Sequence, residues 1–455
     1  MDDVVVVGAG PVGLWLAAEL RLGGASVTVI EPRPAPDPHS KALTLHPRTI
    51  EILDSRGVAE PFLAEGVPIP DGHFGGLDDR MDFKALDTPF PFTLALPQTR
   101  TEELFEARAR SLGATVRRGH RVTALHEEGV VVEGGEVVRA RYVVGCDGAG
   151  STVRQEAGID FPGTDATAWG WLGDVVLDEP PSGGFANVTS PRGGLMVVPL
   201  PGGVHRIVGG DPDSLRTGRP GELTLPELRA KVVNIAGSDF GMRDPAWLSR
   251  FGNASRQASV YRRGRVLLAG DAAHMHFPAG GVGLNVGVQD AMNLGWKLAA
   301  VATGRADSAL LDTYEAERRP VGADLVVHTQ AQTALMMAYS ADGQALRGVL
   351  SGLIATVPEL SRHLAERLSG LDVDYGTGRR APDLRFTDDS RLFELLRPGR
   401  HVLLDFTGDA VPHAVPADTV RVRTELAEKE DRADWAAVSA ALIRPDGHLE
   451  WSRCP

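Results

Sequence analysis

The sequence predicts an α/β chain built on a Rossmann-like dinucleotide-binding domain, with an antiparallel sheet inserted into it and a small α/β domain at the end. Three observations carry this reading. The opening run VVVVGAGPVG sets four valines before Gly8, Gly10 and Gly13. Two more glycine-rich turns, CDGAGSTVR at 146–154 and GDAAHMHFPAGGVGLN at 270–285, each follow an apolar run. Between them, residues 170–255 lose helical period and become rich in proline and glycine.

The elements follow in chain order. The four valines form a buried strand, the glycines a turn, and PVGLWLAAELRL a helix that stops at Gly23 and Gly24. SVTVI is a second strand ending on Glu31, which completes a βαβ unit. PRPAPDPHS is a proline-rich loop; HPRTIEILDSRG is a helix with Pro47 in its first turn and Gly57 as its stop. Residues 61–97 read as loop and short strand. TRTEELFEARARSLG is a helix with a threonine cap. Residues 114–146 are short strands with hairpin turns at EEG and EGGE. Residues 170–255 form the separate sheet, with one helix in TLPELRAKVVNIAG. Helical segments run from about Leu284 to Ser369, broken at RRPVG and TVPEL. HVLLDF, TVRVRT and the last stretch give the final strands.

The division expected is therefore 1–169 and 256–330 for the two parts of the dinucleotide-binding domain, with 61–97 reaching the ligand pocket. Residues 170–255 are the substrate-binding sheet, 331–372 a helical linker, and 373–455 the last domain.

The glycine spacing has a physical reason. Gly8 permits the tight turn, Gly10 lets backbone approach a pyrophosphate, and Gly13 lets helix and strand pack closely. The helix start supplies unpaired N–H groups and a positive dipole end. Glu31, closing the second strand, can accept from ribose hydroxyls. A GxGxxG turn alone is a weak signal; strand, helix and acid together make it a dinucleotide site. No second fingerprint for a nicotinamide is present.

GAGPVG, CDGAGSTVR and GDAAHMHFPAGGVGLN together resemble, in order and spacing, the three motifs of single-component (class A) FAD-dependent monooxygenases of the para-hydroxybenzoate hydroxylase type. HPRTIEILDSRG and PQTRTEELFEARARSLGA resemble the branch with aromatic polyketide hydroxylases and rifampicin monooxygenase. The resemblance implies FAD, reduced by NADPH or NADH bound transiently, and O₂ taken to a flavin C4a-hydroperoxide that hydroxylates an electron-rich polycyclic aromatic of polyketide type. It implies a cofactor site of Gly8, Gly10, Pro11, Val12, Gly13, Glu31, Pro32, Lys41, Gln98, Val122, Asp147, Asp271, Gly283, Leu284 and Asn285. Asp271 would accept from a ribityl hydroxyl, Gln98 would reach the flavin side and Val122 the adenine. Asp147 would shape the pyrophosphate side indirectly or serve only as a turn aspartate. Pro278 and Gly283 take the flavin-face positions where the reaction occurs, with no side-chain acid or base assigned. Gly280, Gly281 and Gly283 would keep side chains off the flavin ring, while Leu284 and Asn285 present N–H groups to it. Lys41 departs from the arginine many relatives carry and lacks its planar fork, so its role in flavin movement stays open. The last domain is similar to a thioredoxin fold but has no CxxC.

The totals agree with that reading. Asp plus Glu number 60 against 47 Lys plus Arg, for a net charge of −13, which disfavours nucleic acid. Cys146 and Cys454 are too far apart for a framework or a metal cluster. MDDVVVVGAG carries no signal-peptide pattern, and no run of 18 apolar residues appears, so the expectation is a cytoplasmic protein without membrane contact or metal, a monomer or homodimer. His46, His73, His274 and His276 have no partner visible in sequence. Trp169, Trp171, Phe185, Leu195, Met196 and Val197 stand as candidate pocket walls. Three rivals remain: Baeyer–Villiger or ring-opening oxidation of a related polyketide or antibiotic, a halogenase (its motif incomplete here), and a flavin-free escort protein.

Overall fold

A computed structural model describes residues 1–408, 415–427, 429 and 432–454. The four valines do form a strand, Asp2–Val7, at the centre of an eight-stranded sheet. It pairs in parallel with Val27–Glu31 on one side and Val137–Gly145 on the other. Thr115–Arg118 extends the sheet beyond Val27–Glu31, and Val266–Leu268 extends it beyond Val137–Gly145, again in parallel. Val4, Val5 and Val6 are fully buried, as expected for a strand covered on both faces. The helices Pro11–Leu22 and Val282–Ala302 pack on each other over this sheet. The turns at EEG and EGGE join Val122–His126, Gly129–Val132 and Val137–Gly145 as an antiparallel meander.

The inserted sheet has five antiparallel strands in the order Ala186–Ser190, Gly193–Pro199, Val204–Gly210, Trp169–Leu177, Met242–Gly252. The helix Leu225–Ala236 covers one face; Thr224 caps its start and Gly237, at φ 80°, its end. The last unit is a four-stranded mixed sheet, Val420–Arg423, Val402–Asp405, Ala440–Ile443, Leu449–Arg453.

Three local expectations fail. The helix Asp312–Met336 runs straight through Pro320. A proline inside a helix costs about 3 kcal/mol, but Tyr314, Arg318, Gly322 and Leu325 on this helix are buried, and their packing offsets it. The helix predicted to start at a threonine begins at Gln98 with Pro97 as its cap residue, and Thr101 bonds back to the Pro97 carbonyl instead. A short helix, Glu60–Glu65, opens the stretch 61–97 that the sequence predicts as loop and short strand; Pro61 suits its first turn and Phe62 anchors it in the core. No helix among the described residues is long and apolar enough to cross a membrane.

Candidate functional site

The first glycine turn divides into two kinds of glycine. Gly8 lies at φ 105°, and a Cβ there would sit 2.4 Å from the Cys146 carbonyl oxygen. A Cβ on Gly13 would sit 2.0 Å from the Gly8 oxygen. Both are needed for packing. Gly10 faces open space, with nothing within 4 Å of an added Cβ, and caps the helix start through no side chain. Pro11 takes the first helical position, so its missing N–H costs nothing. Val12 packs under the third glycine-rich turn, 2.9 Å from where a Gly270 Cβ would be.

Glu31 is buried and already engaged. One carboxylate oxygen accepts from the Ala9 N–H at 2.9 Å; the other accepts from the Arg33 N–H and from Arg33 Nε. Burial works against its charge, but these hydrogen bonds outweigh it and hold its pKa below the usual carboxylate value. The sequence reading named Glu31 and Pro32 and missed Arg33, which ties this end of the site to Asp37.

In the second turn, Asp147 accepts from the Val153 N–H at 3.1 Å, while its other oxygen is buried with no partner. Burial pushes its pKa up. Arg154, quoted in the motif but given no role, joins the turns: it donates to the carbonyls of Ala149 and Ala272. No periodicity signals such a link, since its two acceptors are 123 positions apart in the chain (272 − 149).

In the third turn Gly270 lies at φ 62° and Asp271 is exposed, its carboxylate without a hydrogen-bond partner among the described residues. Gly280 and Gly281 lie at φ 70° and 66°. A Cβ on Gly280 would meet Leu368, and one on Gly281 would meet Thr44 Oγ1 at 2.7 Å. Backbone conformation and protein packing thus account for both glycines. Gly283 faces His276, whose Nε2 would lie 3.1 Å from an added Cβ.

The helix Val282–Ala302 starts after Gly281 with no side-chain cap. Leu284, third in the helix, falls among the N–H groups without an intrahelical acceptor; Asn285, fourth, falls past them. Asn285 acts through its side chain instead. Its Oδ1 accepts from the His46 N–H and from Thr49, and its Nδ2 donates to the Thr44 and Gly281 carbonyls. His46, the cap residue of the helix Pro47–Asp54, also reaches the Gly280 carbonyl, and burial pushes its pKa down to about 4. His274 has a partner after all: its Nε2 lies 2.7 Å from Asp290 Oδ2.

Gln98 clamps the segment that carries Lys41. Its Oε1 accepts from the Ala42 N–H at 2.9 Å, its own N–H donates to the Ala42 carbonyl, and its Nε2 donates to Glu102. Lys41 itself is exposed. Val122 is buried at the start of its strand.

The inserted sheet corrects the expected pocket walls. Trp171, Leu195 and Val197 point toward Leu228, Val232 and Ile235 of the covering helix and form the sheet's own core. Strand alternation puts Leu172, Met196 and Val208 on the opposite face, with Trp247 and Phe251. Of the proposed walls on these strands, only Met196 lies on the open face; Phe185 is 46% exposed outside the core cluster. That face meets the cofactor loops at both ends: Phe251 and Phe277 rings are 5.2 Å apart, and His39 stacks on Trp247 at 5.0 Å. One ion pair sits in it, Arg206 to Asp174, bidentate at 2.8 Å. A Trp171→Ala variant should therefore lose about 3–5 kcal/mol of stability, read as a lowered melting temperature. Its primary defect is not expected in substrate KM; an unchanged melting temperature with a raised KM would return Trp171 to the pocket.

Two bare helix starts behind glycine turns, open space at Gly10, Gly148 and Gly150, and the free Asp271 carboxylate fit a dinucleotide flavin. These features define a dinucleotide-binding protein with a separate, apolar sheet face. Residues 1–329 match the FAD binding domain family, and residues 375–454 match the C-terminal domain of aromatic-ring hydroxylases. An aromatic compound monooxygenase of Bacillus subtilis is 46% identical, over 99% of this chain and 94% of the relative. The 12-dehydrotetracycline 5-monooxygenase/anhydrotetracycline 6-monooxygenase of Streptomyces rimosus is 44% identical, over 100% and 95%. A rifampicin monooxygenase of Streptomyces venezuelae is 41% identical, over 99% and 96%. The solved anhydrotetracycline hydroxylase of Streptomyces rimosus superposes with a TM-score of 0.90 at 43% identity, covering 100% of this chain and 96% of that one. The chain belongs to the FAD-dependent aromatic monooxygenases, and FAD is its cofactor.

Proposed function

We propose that the protein hydroxylates an electron-rich, polycyclic aromatic substrate of the polyketide or antibiotic type. The observation that carries this reading is the open face of the inserted sheet. Leu172, Met196, Val208, Trp247 and Phe251 line it, and its one charged pair is internally neutralised. Apolar walls with few polar anchors suit a flat, largely hydrophobic ligand. Relatives are named for 12-dehydrotetracycline, anhydrotetracycline and rifampicin as what they act on. FAD, reduced by NADPH or NADH, supplies the oxygen-activating chemistry when bound. The chain's own residues orient the ring and exclude water. Asp271 would hold the ribityl side, Leu284 would offer its N–H to the ring with Pro278 beside it, Gly10 would leave room for the pyrophosphate end, and Gly13 lets the helix behind it pack close.

The test is turnover with a panel of polycyclic phenols under labelled O₂, with NADPH consumption and product mass recorded. One labelled oxygen gained, ring skeleton intact, and one NADPH used per product is the expected result. The same gain in a lactone or cleaved ring assigns the Baeyer–Villiger reaction instead. Product formation without oxygen gain overturns the proposal.

A further inference from the structure

The last unit carries no redox pair, since Cys454 is exposed and Cys146 lies in the dinucleotide-binding part. It is nevertheless built into the first unit through buried polar contacts. The turn between its strands Ala440–Ile443 and Leu449–Arg453 is buried from Arg444 to His448. Arg56 donates to the Pro445 carbonyl and Arg48 to the Asp446 carbonyl. Arg444 forks onto both Glu317 oxygens at 2.8 Å. These contacts hold the two units together. One branch of them goes further.

At the start of this unit, the Tyr375 ring lies 4.2 Å from the His448 ring, and its hydroxyl oxygen accepts from Arg318 Nη1 at 3.1 Å. Arg318 Nε donates to Asp290 Oδ1 at 2.7 Å. The other oxygen of Asp290 accepts from the Gly270 N–H at 3.1 Å and faces His274 Nε2 at 2.7 Å. The side chains of Arg318, Asp290 and His274 are at most 1% exposed. Gly270 holds a left-handed conformation immediately before Asp271. The two oxygens of one fixed carboxylate therefore serve the C-terminal unit and the cofactor turn at once. Arg318 cannot shift without moving Asp290, and Asp290 cannot shift without releasing Gly270.

We propose that Tyr375, Arg318 and Asp290 are positioning residues through which the C-terminal unit sets the 270–274 turn and so the fit of FAD. The proposal rests on FAD lying against Asp271.

The test uses the full chain, stripped of FAD and titrated back. Tyr375→Phe removes one oxygen and leaves a buried guanidinium N–H unpaired, so the FAD dissociation constant should rise at least about fivefold. The visible circular dichroism of the bound flavin should change with it, while the apoprotein melts close to wild type. Arg318→Lys keeps the charge but loses the fork and should act in the same direction. Arg432→Ala breaks an exposed pair to Asp87 between the same two units and should leave both flavin signals unchanged. Wild-type signals in both Tyr375→Phe and Arg318→Lys would overturn the relay. Equal losses in Arg432→Ala would also overturn it, because flavin affinity would then follow general contact between the units. Asp271→Ala separates the two readings. Wild-type FAD affinity in that variant removes the flavin from the turn and the relay with it; a loss there with Tyr375→Phe and Arg318→Lys both unaffected removes the relay alone.

Discussion

Gly13→Ala should cost FAD affinity on the order of a hundredfold, the upper range for overpacking a tight site. Alanine is the better helix former by about 1 kcal/mol, so propensity alone predicts the opposite sign. Sterics decide it. The new Cβ would lie 2.0 Å from the Gly8 oxygen. Gly8 cannot retreat, because its own Cα side abuts the Cys146 carbonyl and its N–H is bonded to the Ile30 carbonyl at 2.7 Å. The helix Pro11–Leu22 must therefore lift from the strand, taking Gly10 with it. Gly10→Ala makes the informative contrast. Its Cβ enters open space, so the apoprotein should melt near wild type while FAD binding weakens. Fluorescence titration with FAD and melting of both apoproteins check this. A Gly10→Ala apoprotein as unstable as Gly13→Ala would show that Gly10 serves packing rather than a ligand.

The same contrast shows what the sequence could tell. Turns and strands were legible because glycine spacing and apolar runs are local. The inserted strands were legible as strands, but the consecutive residues Leu195, Met196 and Val197 stood together as walls although strand alternation sends Met196 to the opposite face. The helix Leu225–Ala236, packed on one side, puts Trp171 in the core of the sheet and leaves Met196 on the open face. Contacts across long sequence separations left no local trace. Arg154 joining two turns, Asn285 bracing His46, and Asp290 dividing its oxygens are of this kind. Pro320 misled for a related reason, since tertiary burial overrode a local breaker. Asp271 and Gln98 were named through resemblance; among the described residues Gln98 has protein partners, and they clamp the segment that carries Lys41.

Stability should fall steeply as pH drops from about 6.5 toward 4, and the cause is histidine rather than carboxylate. Burial pushes His46, His73, His328, His401 and His448 down to about 4. The unfolded chain takes up these protons near pH 6.5, the folded chain only near 4. Within that window the unfolded state binds more protons, so stability is full above it and is lost as pH falls through it, by about 1.4 kcal/mol per pH unit for each histidine. Some carboxylates oppose this. Burial raises Asp147, Asp372, Asp383, Glu102 and Glu450, and these gain stability on acidification. Their shifts are the smaller, so the histidines prevail. Asp290, Glu317 and Asp446, held low by Arg318 and Arg444 despite burial, add their loss only below about pH 4. Urea unfolding at pH 7.5, 6 and 5 with FAD saturating measures the slope. His448→Gln should flatten it by about one proton's worth, 1.4 kcal/mol per pH unit. A stability constant from pH 7.5 to 5 would mean that these rings are solvated or already protonated in the folded protein, and would undo the account of His46 as a neutral brace on Gly280.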